Sequence, residues 1–140
     1  MAEYTNSNIV TVAAGQNVPL TETSAASGGC IVHRAGAGIV TLRGLTNQCK
    51  ARFRAAFGAN IAIPTGGTVE AISAALTING EPITSATAVV TPAAVGNYFN
   101  IFVSAFVDVP RSCCLTVSAK NISTQEINFA NSNMIVERVA

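Results

Sequence analysis

The sequence predicts an all-β fold, most naturally a single-domain jelly-roll β-sandwich of about eight to ten strands. Val, Ile and Thr together supply 41 of the 140 residues, and β-branched residues favour strands. Short apolar stretches with alternating polarity recur between turn-forming Gly, Pro and Asn residues. A chain of this length is large enough to bury the core of one domain.

The N-terminal third contains short candidate strands after a polar start. Residues 1–7 are polar, which predicts a flexible N-terminal segment followed by the jelly-roll domain over 8–140. Gly15-Gln16-Asn17, the flexible stretch SAASGG (24–29) and AGAG (35–38) supply turns, because glycine tolerates positive φ angles. The strands predicted around these turns are NIVTVAA (8–14), VPLTE (18–22), CIVHR (30–34) and IVTLRG (39–44).

The central third contains the most regular alternation in the chain. The stretch KARFRAAFGANIAI (50–63) predicts a strand that ends at Pro64. A period of two places these apolar residues on its inner face: Phe53, Ala55, Phe57, Ala59, Ile61 and Ile63. The strands predicted next, TVEAISAALTI (68–78) and ITSATAVVTP (83–92), flank Asn79-Gly80, which is a strong hairpin signal.

The C-terminal third contains the most apolar strand, NYFNIFVSAFVDV (97–109). Both of its faces carry aromatic residues, which predicts that both are covered. Tyr98, Phe102 and Phe106 are therefore candidate subunit-contact residues, since they would otherwise be exposed. Two further strands, CCLTVSAKN (113–121) and EINFANSNMIVERV (126–139), close the chain, and Asn131-Ser132-Asn133 predicts a β-bulge in the second.

The charge and the first residues bear on which partners and compartments are expected. A net charge of +1 argues against nucleic-acid binding, which needs clustered Lys and Arg. No polybasic segment and no apolar run of membrane-spanning length is present, so no membrane partner is expected. The first residues, MAEYTNSNIV, have no basic and apolar pattern of a signal peptide. We therefore expect synthesis in the cytosol and, if the protein works outside a cell, release by lysis.

The four cysteines, Cys30, Cys49, Cys113 and Cys114, are interpreted as structural thiols. A zinc site and a disulfide remain alternatives, but the close C-x-x-C pairs typical of zinc sites are absent. Adjacent residues on a strand point to opposite faces. We therefore expect one of Cys113 and Cys114 to pack in the core and the other to face solvent or a partner subunit.

No other residues form a recognisable catalytic or cofactor site in the sequence. The carboxylates are scattered singly, and His33 is the only histidine. Lys50, Arg52 and Arg54 share one strand face and predict a basic surface strip, or partners for acidic groups on another subunit. The sequence therefore predicts no enzyme, no metal and no cofactor.

Longer blocks of the sequence carry a resemblance. They are HRAGAGIVTLRGLTNQCKARFRAAFGANIAIPTGGTVEAISAALTINGEP, VTPAAV, VDVPRSCCLTVSAKNISTQ and NSNMIVERVA. Over roughly residues 28–140 the chain resembles a family of short, mostly uncharacterised proteins from bacteriophages and prophages of gut Firmicutes, with Ser112 in place of a glycine. The strand pattern also resembles trimeric jelly rolls of the tumour-necrosis-factor and complement-like type, some of which occur on spore-surface fibres.

Both resemblances imply a structural role. The expected function is a phage virion structural protein, specifically a capsid decoration protein that stabilises the head as a homotrimer. The expected partners are further copies of the chain and the major capsid protein lattice or another virion protein, and the expected location is the virion. The alternatives are a subunit of a tail tip, extracellular appendage or spore-surface layer, and a receptor- or glycan-binding module.

Overall fold

The computed structural model describes residues 1–25 and 29–140 and confirms an all-β sandwich. Eleven strands occur in the described residues, slightly more than the eight to ten predicted. They are β1 (Ala2–Asn6), β2 (Val10–Val12), β3 (Glu22–Ala25), β4 (Ile31–His33), β5 (Ile39–Arg43), β6 (Lys50–Ala62), β7 (Ile72–Ile78), β8 (Glu81–Val90), β9 (Phe99–Pro110), β10 (Cys114–Asn121) and β11 (Ile127–Arg138).

The strands form two antiparallel sheets that pack face to face. The first sheet has the order β3-β1-β11-β6-β9, with β2 also paired to β11. The second sheet has the order β4-β5-β10-β7-β8. Most neighbours in each sheet are distant in sequence, which is typical of a jelly roll. Strands β9 and β8 therefore lie at the edges of their sheets.

Strand β6 supplies the centre of the core. The six residues predicted to face inward are all buried, and Phe53, Phe57 and Ile61 are among the largest fully buried side chains. Phe57 contacts Phe129 of β11 with ring centroids 6.3 Å apart. The alternation in the sequence therefore identified the inner face of the longest strand correctly.

Two predicted backbone features are confirmed. Asn79 and Gly80 join β7 to β8 with φ angles of 51° and 86°, the positive values that a tight hairpin turn requires. In β11 the pairing with β6 shifts register between Ala130 and Asn133, and Asn131 has a φ of 54°. This shift is the predicted bulge.

The predicted flexible N-terminal segment over 1–7 is wrong. Residues 2–6 form β1, which lies between β3 and β11 inside the first sheet. Ala2 and Tyr4 are buried in the core, and burial raises the pKa of the Tyr4 hydroxyl. The segment is ordered because both of its edges pair with other strands and its alternate side chains fill the core.

The strand predicted at VPLTE (18–22) is also displaced. Val18 and Leu20 are buried, but they belong to an irregular segment whose backbone bonds to β10 and to the turn before β5. The strand itself is β3, which begins at Glu22. Of the flexible stretch predicted at 24–29, Ser24 and Ala25 belong to β3, and residues 26–28 lie outside the described part of the chain.

Replacing Tyr4 tests whether the N-terminal strand stabilises the fold. We expect Tyr4→Ala to lower the free energy of unfolding by about 3 kcal/mol, because it leaves a cavity where a buried ring packs. Thr23→Ala is the matched control, since Thr23 lies opposite Tyr4 on β3 and is exposed; it should change stability by less than about 0.5 kcal/mol. Guanidinium denaturation at one fixed protein concentration measures both, and equal effects would contradict a structural role for β1.

Candidate functional site

The outer face of β9 carries large aromatic side chains that are exposed to solvent. Alternation sends Ile101, Val103 and Val107 into the core and leaves the intervening residues facing solvent. Phe102 and Phe106 are 62% and 64% exposed. Tyr98, which directly precedes β9, is 42% exposed. We call Tyr98, Phe102 and Phe106 the aromatic row.

The neighbouring strand explains why these rings are uncovered. Phe102 lies opposite Gly58 on β6, and glycine has no side chain to shield it. Phe106 lies opposite Arg54, and the guanidinium of Arg52 lies 6.0 Å from its ring centroid. Because β9 is the last strand of its sheet, no further strand of the described residues pairs with it on its other side. The exposure that the subunit-contact prediction requires is therefore present at all three residues.

The predicted basic strip is paired within the chain. The Arg52 guanidinium donates to the Asp108 carboxylate at 2.7 Å, and Lys50 contacts the same carboxylate at 3.1 Å. Arg54 binds Glu137 of β11 at 3.0 Å. The three basic residues lie at the surface, as predicted. Their acidic partners belong to β9 and β11 of the same chain and not to another subunit.

These ion pairs change the acidity of Asp108. Hydrogen bonds from Arg52 first, and from Lys50 second, hold the pKa of its carboxyl well below its usual range. The same pairing raises the pKa of Arg52. The carboxylate therefore stays ionised and neutralises one of the two cations that contact it, which leaves a net charge of +1 among Lys50, Arg52 and Asp108.

A depression of about 450 Å³ lies at the other end of β9. Its walls are formed by uncharged side chains: Ser7, Ile9, Asn60, Tyr98, Ala130 and Asn131. The volume is within the range of small-molecule sites, although the depression is open to solvent. Tyr98 thus belongs to this depression as well as to the aromatic row.

An asparagine ladder crosses three strands at the floor of the depression. The side chain of Asn100 donates to Asn60 at 3.1 Å, and Asn60 donates to Asn131 at 3.3 Å. Asn131 occupies the bulge of β11, which turns its backbone to a positive φ. The sequence analysis placed Asn60 on the outer face of β6 but did not connect it with Asn100 and Asn131. Their pairing depends on the strand register, which no local pattern shows.

The prediction that one of Cys113 and Cys114 packs in the core is wrong, because both are exposed. Cys113 lies in the turn before β10, and Cys114 begins that strand on the face opposite to Leu115, which packs against the core. Cys49 is exposed as well, and Cys30 is half-buried against the core. The interpretation as structural thiols therefore fits Cys30 alone.

His33 lies in the fold and not at an outer surface contact. Its ring is 4.3 Å from the ring of Tyr4, and its Nε2 lies 2.8 Å from the carbonyl oxygen of Ala37. Its Nδ1 is buried without a hydrogen-bond partner in the described structure. The stacking and the bond to Ala37 explain His33 as a packing residue.

Over residues 1–25 and 29–140, no group of three or more His, Cys, Asp or Glu side chains has the geometry to hold a metal ion. The same residues contain no helix long and apolar enough to cross a membrane. The surface features that remain are the aromatic row, the depression and the exposed thiols.

No family model and no curated protein sequence matches the chain. In structure the chain is similar to the globular domain of the zebrafish complement 1qA protein, with a TM-score of 0.61 over 99% of this chain and 96% of that chain, at 8% sequence identity. A likeness at this identity shows the fold alone.

Two further structures are similar at lower scores. The C-terminal domain of EclA, a sugar-binding protein, gives a TM-score of 0.42 at 15% identity over 94% of this chain and 79% of that chain. A family 35 carbohydrate-binding module from Clostridium thermocellum gives 0.36 at 15% identity over 91% of this chain and 98% of that chain. Neither score is high enough to carry an argument, so the comparisons establish a jelly roll similar to the complement 1qA globular domain.

Proposed function

We propose that this chain is a structural subunit that self-associates through the aromatic row, as a homotrimer on a phage virion. The observation that carries the proposal is the exposure of Phe102 and Phe106 on the outer face of an edge strand. Large apolar side chains at a sheet edge are a risk for uncontrolled association unless a defined partner covers them. A second copy of the same chain is the partner that is present at the same concentration.

The energetics favour contact through these two rings. Since most of each ring is exposed, covering it contributes roughly 1–2 kcal/mol per residue. Aromatic residues contribute strongly at interface centres because they bury a large area with few rotatable bonds. The ion pairs of Lys50 and Arg52 with Asp108 lie beside Phe106 and suit the polar rim of such a contact.

Three copies and a virion location rest on the resemblances of the sequence. The strand pattern resembles trimeric jelly rolls, and a closed cyclic ring of identical subunits is a common solution for such folds. The resemblance to phage and prophage proteins supports a location on the virion. The specific proposal is a decoration protein that binds the head. In this role the chain stabilises the shell by adding buried contact with the major capsid protein, and it needs no catalysis. The alternative roles, as a subunit of a tail tip, an appendage or a spore-surface layer, depend on the same self-association.

Removing the rings tests self-association. We expect Phe102→Ser with Phe106→Ser to convert the assembly to monomers, because the apolar area of the contact is lost. Val89→Ser is the matched control, since Val89 is 63% exposed on β8, the edge strand of the other sheet. Sedimentation velocity of the purified protein measures the mass of each. A monomeric unmodified chain, or a double variant that stays assembled, would contradict the proposed contact.

The virion location is tested by quantitative mass spectrometry of purified virions from an induced host. A decoration protein should be present in a ratio to the major capsid protein near one-to-one or a simple fraction of it, because it binds the repeating head lattice. A trace ratio would place the protein on the tail. Its absence from the virion would refute the virion proposal and favour a spore or cell-surface layer.

A second candidate function is carbohydrate or receptor binding at the depression beside Tyr98. Sugars are recognised by an aromatic face together with neutral hydrogen-bonding groups, and the depression offers Tyr98 with Asn60, Asn131 and Ser7. One aromatic residue is a small platform, which is why this function ranks second.

Sugar binding at the depression is tested with a glycan array followed by titration of any positive oligosaccharide. We expect Tyr98→Ala to weaken binding about five- to thirtyfold, since stacking on an aromatic ring is worth about 1–2 kcal/mol. Phe102→Ser is the control, because it removes an exposed ring outside the lining of the depression. A blank array, or equal losses in both variants, would remove this candidate.

A further inference from the structure

Three exposed cysteines lie near the end of β9, although Cys49 is far in sequence from the other two. Cys49 directly precedes β6, and its carbonyl oxygen accepts a hydrogen bond of 2.9 Å from the backbone of Arg111. The turn at Arg111 and Ser112 then leads to Cys113, and Cys114 follows as the first residue of β10. We call Cys49, Cys113 and Cys114 the thiol end of the molecule.

Backbone hydrogen bonds and a close approach of two segments hold the thiol end in place. Gly44 donates to the carbonyl oxygen of Cys113 at 2.9 Å and accepts from Ser112 at 3.1 Å. A side chain at Gly44 would collide with the carbonyl oxygen of Pro110. Ser112 has a φ of 61°, which suits the glycine of similar sequences. These contacts fix the position of the exposed thiols relative to β9.

Within one chain no cysteine is paired, and geometry excludes two of the possible pairs. All four cysteines are free. Cys113 and Cys114 are consecutive, so their Cα atoms are closer than a regular disulfide allows. Cys30 and Cys114 lie on either side of Arg43 in the second sheet, about 10 Å apart by the strand spacing, which is too far for a bridge.

The position of the thiol end relative to the aromatic row points to a second copy. Phe106 lies four residues before Pro110, where β9 ends, so the thiol end follows the row along the same strand. In a ring of three copies related by a threefold axis, the three thiol ends lie at the same height along that axis. In a ring of three, each interface joins two different patches, and so a bridge must join two different cysteines for every subunit to take part.

We propose that oxidation links Cys49 of one copy to a thiol of the Cys113–Cys114 pair of the next, which locks the assembly covalently. This inference rests on the proposed self-association. Each bridge forms from two thiols, which lose two protons and two electrons to molecular oxygen or to a small-molecule disulfide. Thiols stay reduced in the cytosol, so the bridges form after the assembly reaches an oxidising medium. The bridges add stability by constraining the separated chains.

The experiment compares the purified full chain before and after treatment with oxidised glutathione on non-reducing denaturing gels. The oxidised protein should run as a trimer that a reductant returns to monomer. Cys49→Ser should lose the trimer band, since Cys49 is a partner in every bridge. Cys30→Ser is the matched control and should keep the band, because Cys30 is half-buried outside the thiol end.

Sedimentation of each protein in reductant separates this inference from the proposed function. A trimer in reductant that gives no covalent trimer on oxidation would overturn the inference and leave self-association intact. A monomer in reductant would refute self-association itself. An oxidised monomer lighter by two hydrogens would show an intrachain bridge, and a covalent trimer of Cys49→Ser would show that Cys49 is not the partner; both results overturn the proposal.

Discussion

The structure depends on the pairing of β6 with β11 on one side and β9 on the other. This three-strand ladder places Phe53, Phe57 and Ile61 in the core and at the same time sets every outward residue of the candidate site. Because the side-chain period of a strand is two, a slip of one residue would bury Arg52 and Arg54 and expose the phenylalanines. The burial of these rings therefore fixes the register on which the aromatic row, the ion pairs and the asparagine ladder all depend.

The sequence predicted those parts of the fold whose cause is local. The inner face of β6, the hairpin at Asn79-Gly80 and the bulge near Asn131 each follow from a few consecutive residues. Strand β1 was missed because its buried residues, Ala2, Tyr4 and Asn6, stand in a polar segment too short to show a pattern. Its order comes from pairing with β11, which lies more than a hundred residues away in sequence.

The candidate site was predictable as a set of residues but not as a geometry. The alternation of β9 and its two aromatic faces singled out Tyr98, Phe102 and Phe106, and the structure exposes them. The partners of the basic strip were not predictable, because Asp108 comes opposite Arg52 only through the pairing of β9 with β6. The exposure of both Cys113 and Cys114 was misjudged because Cys113 precedes β10, and alternation between two faces holds only within a strand.

The two ends of β9 differ in chemistry, so the proposed self-association and the proposed ligand binding use different parts of one strand. Tyr98 and Phe106 are separated by roughly 26 Å, given the rise per residue of a strand. The end at Tyr98 is neutral and rich in amides, whereas the end at Phe106 is flanked by paired charges and leads to the exposed thiols. A subunit contact centred on Phe102 and Phe106 leaves the depression near its rim. Self-association and ligand binding are thus compatible on this strand, and a ligand at Tyr98 would contact the edge of the assembly instead of competing for its centre.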